Sequence, residues 1–129
     1  MKKSPVVHFE MPYKDGKRAS EFYSKVFGWD MQQLGEEMHN YILAGTTETE
    51  NMQSTQPGEI NGGFFRAEEG GKNTLVTVAV EDINQAIEKV KQNGGQVVHE
   101  VQEIPNVGLY VTIIDTENNR VSLLQPKMA

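Results

Sequence analysis

The sequence predicts an α+β fold made of two βαβββ units in tandem. Three observations carry this reading. A strand-type alternation near the N-terminus is followed by a helical apolar stripe, and the same succession starts again near residue 74. The two helical stripes also superpose at a constant offset of 64, pairing Ala19 with Ile83, Phe22 with Ala86, Tyr23 with Ile87 and Val26 with Val90.

Pro5 to Pro12 alternates as a half-buried strand does, with Val7, Phe9 and Met11 on one face and His8, Glu10 and Pro12 on the other. After a turn at Tyr13–Gly16, the stripe Ala19, Phe22, Tyr23, Val26 and Phe27 marks a helix, and Gly28 stands where a C-cap glycine belongs. Strands are expected over Asp30–Leu34, His39–Ala44 and Ile60–Arg66, with a polar loop at Gly45–Gly58. Gly62-Gly63 marks a bend or a close backbone approach in an edge segment. The first unit thus covers residues 5–66, and the Gly- and Glu-rich stretch 67–73 reads as a linker.

The second unit covers residues 74–126. It opens with a strand at Leu75–Val80, and Asp82 is positioned to cap a helix carrying Ile83, Ala86, Ile87 and Val90. Gly94-Gly95 stops that helix, and strands follow at Gln96–Val101, Gly108–Ile114 and Arg120–Gln125. Asp115–Asn119 is a hairpin turn by composition, so its polar groups are assigned to the turn. A unit of this size is marginal alone, and two can share a core or a concave surface.

Composition narrows the function classes. The chain has 129 residues and no cysteine, which excludes thiolate catalysis, iron–sulfur clusters, Cys-ligated zinc and disulfides. Its net charge of −6 is spread over two acidic halves, so the basic face of a nucleic-acid-binding protein is missing. No apolar run suggests a membrane helix, and the start is too broken for a signal peptide, so a cytoplasmic location is expected. No G-x-S-x-G motif, Ser-His-Asp order or phosphate-binding glycine loop is present.

Four segments carry a family resemblance: VVHFEMP with ASEFYSKVFGWDM, then INGGFF, then VTVAVEDINQAIEKVKQNGGQVV, and last EIPNVGLYVTIIDTENNRVSLLQP. Together they resemble the vicinal oxygen chelate superfamily of glyoxalase I, extradiol dioxygenases, fosfomycin-resistance enzymes and bleomycin-binding proteins. The resemblance implies two βαβββ modules forming a curled mixed sheet around a cavity, commonly in a homodimer. It also implies, in the metal-using members, four ligands on the first and last strands of the modules. Transferred residue by residue, the first-module His lands on His8, fourteen positions before Phe22. The second-module His lands on Leu75 and the final-strand Glu on Ser122, while Ile60–Arg66 has no acidic residue and only Glu59 precedes it. One ligand position of four is retained, so the resemblance implies no resident cofactor, with a divalent metal the disfavoured alternative.

The candidate site follows from strand alternation. His8 and Glu10 share a face and are the candidate catalytic pair, or else a hydrogen-bonding remnant and a solvated carboxylate at the cavity mouth. Leu75, Thr77, Tyr110, Thr112, Ser122 and Leu124 should line the cavity together with Tyr41 and Phe65. This mixed apolar and hydroxyl lining suits a neutral or weakly polar organic molecule better than a phosphate. His39 and His99 are expected as surface or half-buried strand residues, Phe64 as an aromatic stacking surface, and Trp29 as packing on the helix or a further stacking surface. The leading expectation is a metal-independent small-molecule-binding protein. The alternatives are a glyoxalase-like lyase or isomerase using His8, Glu10 and a weakly held divalent metal, and a structural or regulatory dimer.

Overall fold

The computed structural model describes residues 2–50, 53–67 and 72–127. The Glu68–Gly71 part of the expected linker lies outside the described residues. The chain divides into two compact units, one of His8–Thr74 and one of Met1–Val7 with Leu75–Ala129. Both combine one helix with mixed parallel and antiparallel strands, an α+β fold.

In the unit His8–Thr74, strand β1 (Val6–Tyr13) leads into helix α1 (Gly16–Phe27). Strands β2 (Asp30–Gln33) and β3 (Ile42–Gly45) follow, then a small hairpin of β4 (Thr49–Glu50) and β5 (Gln53–Ser54), then β6 (Gly62–Arg66). The sheet order is β2-β3-β6-β1, so β6 is an inner strand, parallel to β1 and antiparallel to β3, where an edge segment was expected. Two strands start later than the sequence suggests, for local reasons. His39 and Asn40 adopt left-handed φ of 56° leaving the 3-10 turn Glu36–Met38, so β3 begins at Ile42 and His39 is exposed outside it. The Asn61 side chain accepts the backbone N–H groups of Thr46 (2.8 Å) and Thr47 (3.1 Å), which ends the backbone ladder before Gly62.

Helix α1 is closed at both ends as its sequence requires. The Asp15 carboxylate accepts the Arg18 N–H, and Gly28, at φ 72°, returns its N–H to the Ser24 carbonyl. Its stripe, however, is only half used. Ala19 and Tyr23 pack with Met11, Trp29 and Met31 on the buried set Tyr13, Ile42, Ala44 and Phe64. Phe22, Val26 and Phe27 are 54, 55 and 59% exposed. Trp29 packs as expected, stacked on Tyr23 at 4.9 Å between ring centroids.

In the unit that contains Leu75–Ala129, β7 (Leu75–Ala79) is followed by α2 (Ile83–Gln92), then β8 (Gln96–Val97), β9 (Gln102–Ile104), β10 (Gly108–Ile114) and β11 (Arg120–Pro126). Strand β11 lies between parallel β7 and antiparallel β10, and β8 and β9 both pair with β10. The Pro5 carbonyl accepts the Ala79 N–H at 2.9 Å, tying the N-terminal segment to β7. The continuous strand expected over Gln96–Val101 is broken by His99. Its Nε2 accepts the Thr112 N–H at 3.2 Å, taking a donor that a neighbouring strand would otherwise use. At the hairpin tip, hydrogen bonds from the Asn119 backbone, the Asn119 side chain and the Glu117 backbone hold the Asp115 carboxyl below the usual carboxylate range. Those groups belong to the turn, as composition indicates.

The stripe of α2 is fully used. Ile83, Ala86, Ile87 and Val90 pack on Val111, Ile113 and Leu123, and Asp82 caps the helix through the Gln85 N–H. The Gln125 side chain accepts the Ile83 N–H at 2.9 Å, so β11 helps to hold the first turn. Ile83 is completely buried. Ile83→Ala is therefore expected to lower unfolding free energy by about 2–5 kcal/mol in denaturant titrations. Asp82→Ala should cost about 1 kcal/mol by removing the cap.

Candidate functional site

Strand alternation gives each sheet a face turned away from its own helix, and the candidate residues fall on those faces. In the unit His8–Thr74, Met11, Tyr13 and Phe64 belong to the core beside α1, which leaves His8, Glu10 and Phe65 on the opposite side. Phe64 is thereby core and not a wall for that face, while Phe65 is half-buried. Across three strands Glu10, Gly63 and Leu43 are in register.

The glycine pair explains how this face is built. A Cβ on Gly63 would collide with the Tyr41 ring and hydroxyl, and a Cβ on Gly62 would collide with the Phe9 ring. Each glycine therefore accommodates an aromatic ring, and Phe9 contacts Trp29 at 5.8 Å between centroids. Lying over Gly63, Tyr41 reaches His8, with its hydroxyl 3.0 Å from Nε2.

Burial lowers the His8 pKa from 6.5 to about 4, so the imidazole is neutral at physiological pH. The hydroxyl can donate to Nε2 or accept from it, according to the tautomer. Glu10 is only 8% exposed, in contrast to the solvated carboxylate that one reading of the sequence suggested. This side of the sheet thus gathers a neutral imidazole, a phenol and a buried carboxyl group, types that can donate, accept or move protons.

In the second unit, Val111, Ile113 and Leu123 pack beneath α2, so Tyr110, Thr112, Ser122 and Leu124 lie on the other face of the sheet. The register pairs Tyr110 with Leu124, Thr112 with Ser122, and Ser122 with Thr77. Leu75 shares that face with Thr77, two positions along β7. Leu75, Thr77, Thr112 and Ser122 are all buried, while Tyr110 and Leu124 are half-buried. The Tyr110 hydroxyl lies 3.1 Å from Thr112 Oγ1 and 3.0 Å from Ser122 Oγ, making a connected hydroxyl chain. Beside it, the buried Thr77 Oγ1 has no hydrogen-bond partner among the described residues. Such a group costs about 1–3 kcal/mol when left unsatisfied.

The structure also adds residues that sequence reading left out. His99, taken for an ordinary strand residue, stacks on Tyr110 at 5.8 Å while bonding Thr112, and so braces the hydroxyl chain from the side. A lone histidine carries no signal for this role. Gly63 did carry one, as half of a glycine pair.

The donors do not suit a divalent metal. Among the described residues no three His, Cys, Asp or Glu side chains come together. Leu75 has no donor atom, Ser122 is engaged with Tyr110, and His8 Nε2 is engaged with Tyr41.

Residues 6–123 match the model of the Glyoxalase/Bleomycin resistance protein/Dioxygenase superfamily. A glyoxylase-like domain-containing protein of Didymella fabae is 34% identical over 116 residues, covering 85% of this chain and 84% of that protein. Among solved structures, a Streptomyces coelicolor methylmalonyl-CoA epimerase variant complexed with 2-nitronate-propionyl-CoA aligns with a TM-score of 0.72 at 11% identity. That alignment covers 99% of this chain and 98% of the epimerase. The Mycobacterium tuberculosis methylmalonyl-CoA epimerase gives 0.67 at 15% identity, covering 99% and 93% of the two chains. A hypothetical protein from Bacillus halodurans gives 0.71 at 13%, covering 99% and 98%. At these identities the structural likenesses carry the fold alone. No helix among the described residues is long and apolar enough to cross a membrane.

Two predictions follow from the geometry around His8. In the interval between pH 6.5 and about 4 the unfolded chain holds a proton on His8 that the folded chain does not. Stability should therefore fall as pH drops through that interval, by up to about 3 kcal/mol. The His8→Gln variant should lose that component of the pH dependence, and an NMR titration of the imidazole should give its midpoint directly. Gly63→Ala is expected to destabilise by about 1–3 kcal/mol because the Tyr41 ring must move. Most of that cost should vanish in a Tyr41→Ala background, as a double-mutant cycle would show.

Proposed function

The chain belongs to the glyoxalase/bleomycin resistance protein/dioxygenase superfamily, and on that premise we propose that it is a small-molecule-binding protein working without a divalent metal centre. The observation that carries this reading is the bond between His8 and Tyr41. At the one retained ligand position, the imidazole nitrogen pointing away from the backbone is occupied by a phenol. The positions of two other inherited ligands hold Leu75, which cannot donate, and Ser122, whose hydroxyl is shared with Tyr110.

The ligand class follows from the same side chains. Leu75 and Leu124 offer apolar contact, and Thr77 offers a buried hydroxyl whose bonding capacity is unspent among the described residues. A mostly apolar organic molecule with a carbonyl or similar acceptor oxygen suits this lining. The family resemblance supports a homodimer.

A second reading is supported by the shared placement of His8, Tyr41 and Glu10 on one face. There the protein would be a glyoxalase-like lyase or isomerase, with Glu10 moving a proton and His8 polarising the substrate beside a weakly held divalent ion. Metal analysis of untagged protein separates the two. The binding reading expects well under one ion per chain and no activity on hemithioacetal substrates after adding nickel, zinc or manganese. Stoichiometric metal with activity lost in Glu10→Gln establishes the enzyme instead.

Thr77→Val supplies the positive test. Replacing an unsatisfied buried hydroxyl by a methyl group should raise the stability of the unliganded protein by about 1 kcal/mol. The same change should weaken compounds found by thermal-shift screening of aromatic and glycopeptide libraries about tenfold. Unchanged affinity for every such compound would remove Thr77 from the site.

A further inference from the structure

On the helix-bearing side of the unit His8–Thr74 lies a groove of about 560 Å³, within the range of small-molecule sites. It runs between the end of β1 and the first turns of α1, with Met11, Tyr13, Tyr23 and Phe64 among its lining residues. Phe22 forms a wall and is 54% exposed, an aromatic ring left facing water by the half-used stripe of α1. None of these side chains belongs to the helix-free face on which His8 and Glu10 stand.

The charged groups at this groove are Lys14, Asp15 and Arg18. The Asp15 carboxylate already accepts the Arg18 backbone N–H at 3.0 Å as the helix cap. Lys14 and Arg18 are exposed and take part in no ion pair among the described residues. Two cations against one committed carboxylate leave the groove with one net positive charge, on a chain whose total is −6. An apolar floor, an exposed aromatic wall and a positive rim are the complement of an amphipathic monoanion.

We propose that this groove binds a small organic carboxylate with an aromatic tail. The carboxylate sits at Arg18 and Lys14, and the ring covers Phe22 and Tyr23. Arg18 sets the preference for anions, because its guanidinium can meet a carboxylate through two parallel N–H donors. Covering the Phe22 ring removes apolar surface from water and contributes the sequence-independent part of the affinity.

The protein contains its own reporter for this site. Tyr23 lines the groove and stacks on Trp29 at 4.9 Å, and Trp29 is the only tryptophan in the chain. Titration of 4-phenylbutyrate into the intact protein should produce a saturable change in Trp29 emission. Arg18→Gln and Phe22→Ala, both at exposed positions, should each raise its dissociation constant at least fivefold. The matched cation, 4-phenylbutylamine, should bind at least fivefold more weakly than the carboxylate.

An absent or non-saturable response overturns the proposal, as does equal affinity for the amine or no effect of Arg18→Gln. A response weakened by Thr77→Val and untouched by Arg18→Gln places the anion on the helix-free face, and also overturns it. Sedimentation velocity covers the remaining occupant. If Phe22→Ala converts a dimer to a monomer and leaves 4-phenylbutyrate affinity unchanged, the groove is a contact between copies of this chain and the proposal fails. Failure here leaves the reading of the helix-free faces standing, because that reading uses none of these residues.

Discussion

The face that carries His8 depends on the absence of two β-carbons. Gly62 and Gly63 lie on an inner strand, where glycine normally weakens a sheet by leaving nothing to pack. Here the missing side chains are replaced by rings from other strands and segments: Phe9 over Gly62, and Tyr41 over Gly63. The first arrangement links β1 to the Trp29 cluster beneath α1. The second brings a hydroxyl to His8 on the opposite side. Any larger residue at either glycine would have to displace a ring, so the core on one side and the polar site on the other rest on one dipeptide.

That arrangement gives a physical account of how a ligand position can be retained while its chemistry changes. A histidine bound to a metal must offer a lone pair, and its second nitrogen is usually held by a partner. In this chain a phenol meets Nε2, and burial keeps the ring uncharged well below neutral pH. Both effects favour a fixed hydrogen-bonding group. The second unit shows a parallel exchange, with the hydroxyl chain Tyr110–Thr112–Ser122 running through a position where the family resemblance implies a carboxylate. Buried hydroxyls are tolerable because each can donate and accept, whereas an isolated buried carboxylate would demand a cation or a proton.

Much of the fold was legible because it is written in short-range periodicity. Asp82 caps a helix, Gly28 ends one, and Gly108–Ile114 is a strand, all from residues within a few positions of one another. The misplaced boundaries arise where a side chain substitutes for backbone. Asn61 takes the N–H groups of Thr46 and Thr47 from fifteen and fourteen positions away, and His99 takes that of Thr112 from thirteen. No local pattern encodes such a bond. The candidate site divides in the same way: alternation puts His8 with Glu10, and Leu75 with Thr77, on shared faces, while the partnership of His8 with Tyr41, thirty-three residues apart, required the fold.

The two helices show why equal sequence patterns need not have equal consequences. Their apolar stripes share spacing and register, yet α2 packs all of Ile83, Ala86, Ile87 and Val90 against its core, and α1 leaves Phe22, Val26 and Phe27 facing water. The difference lies in side-chain size. Small and branched residues on α2 interdigitate with Val111, Ile113 and Leu123, as close packing requires. On α1 the stacked Tyr23 and Trp29 rings form a thick layer beside Phe64, and Phe22 and Phe27 rest against those rings with more than half of their surface exposed. Apolar surface left outside by one helix, next to unpaired cations at its first turn, is surface available for recognition. The same spacing therefore makes a core helix in one unit and a candidate binding wall in the other.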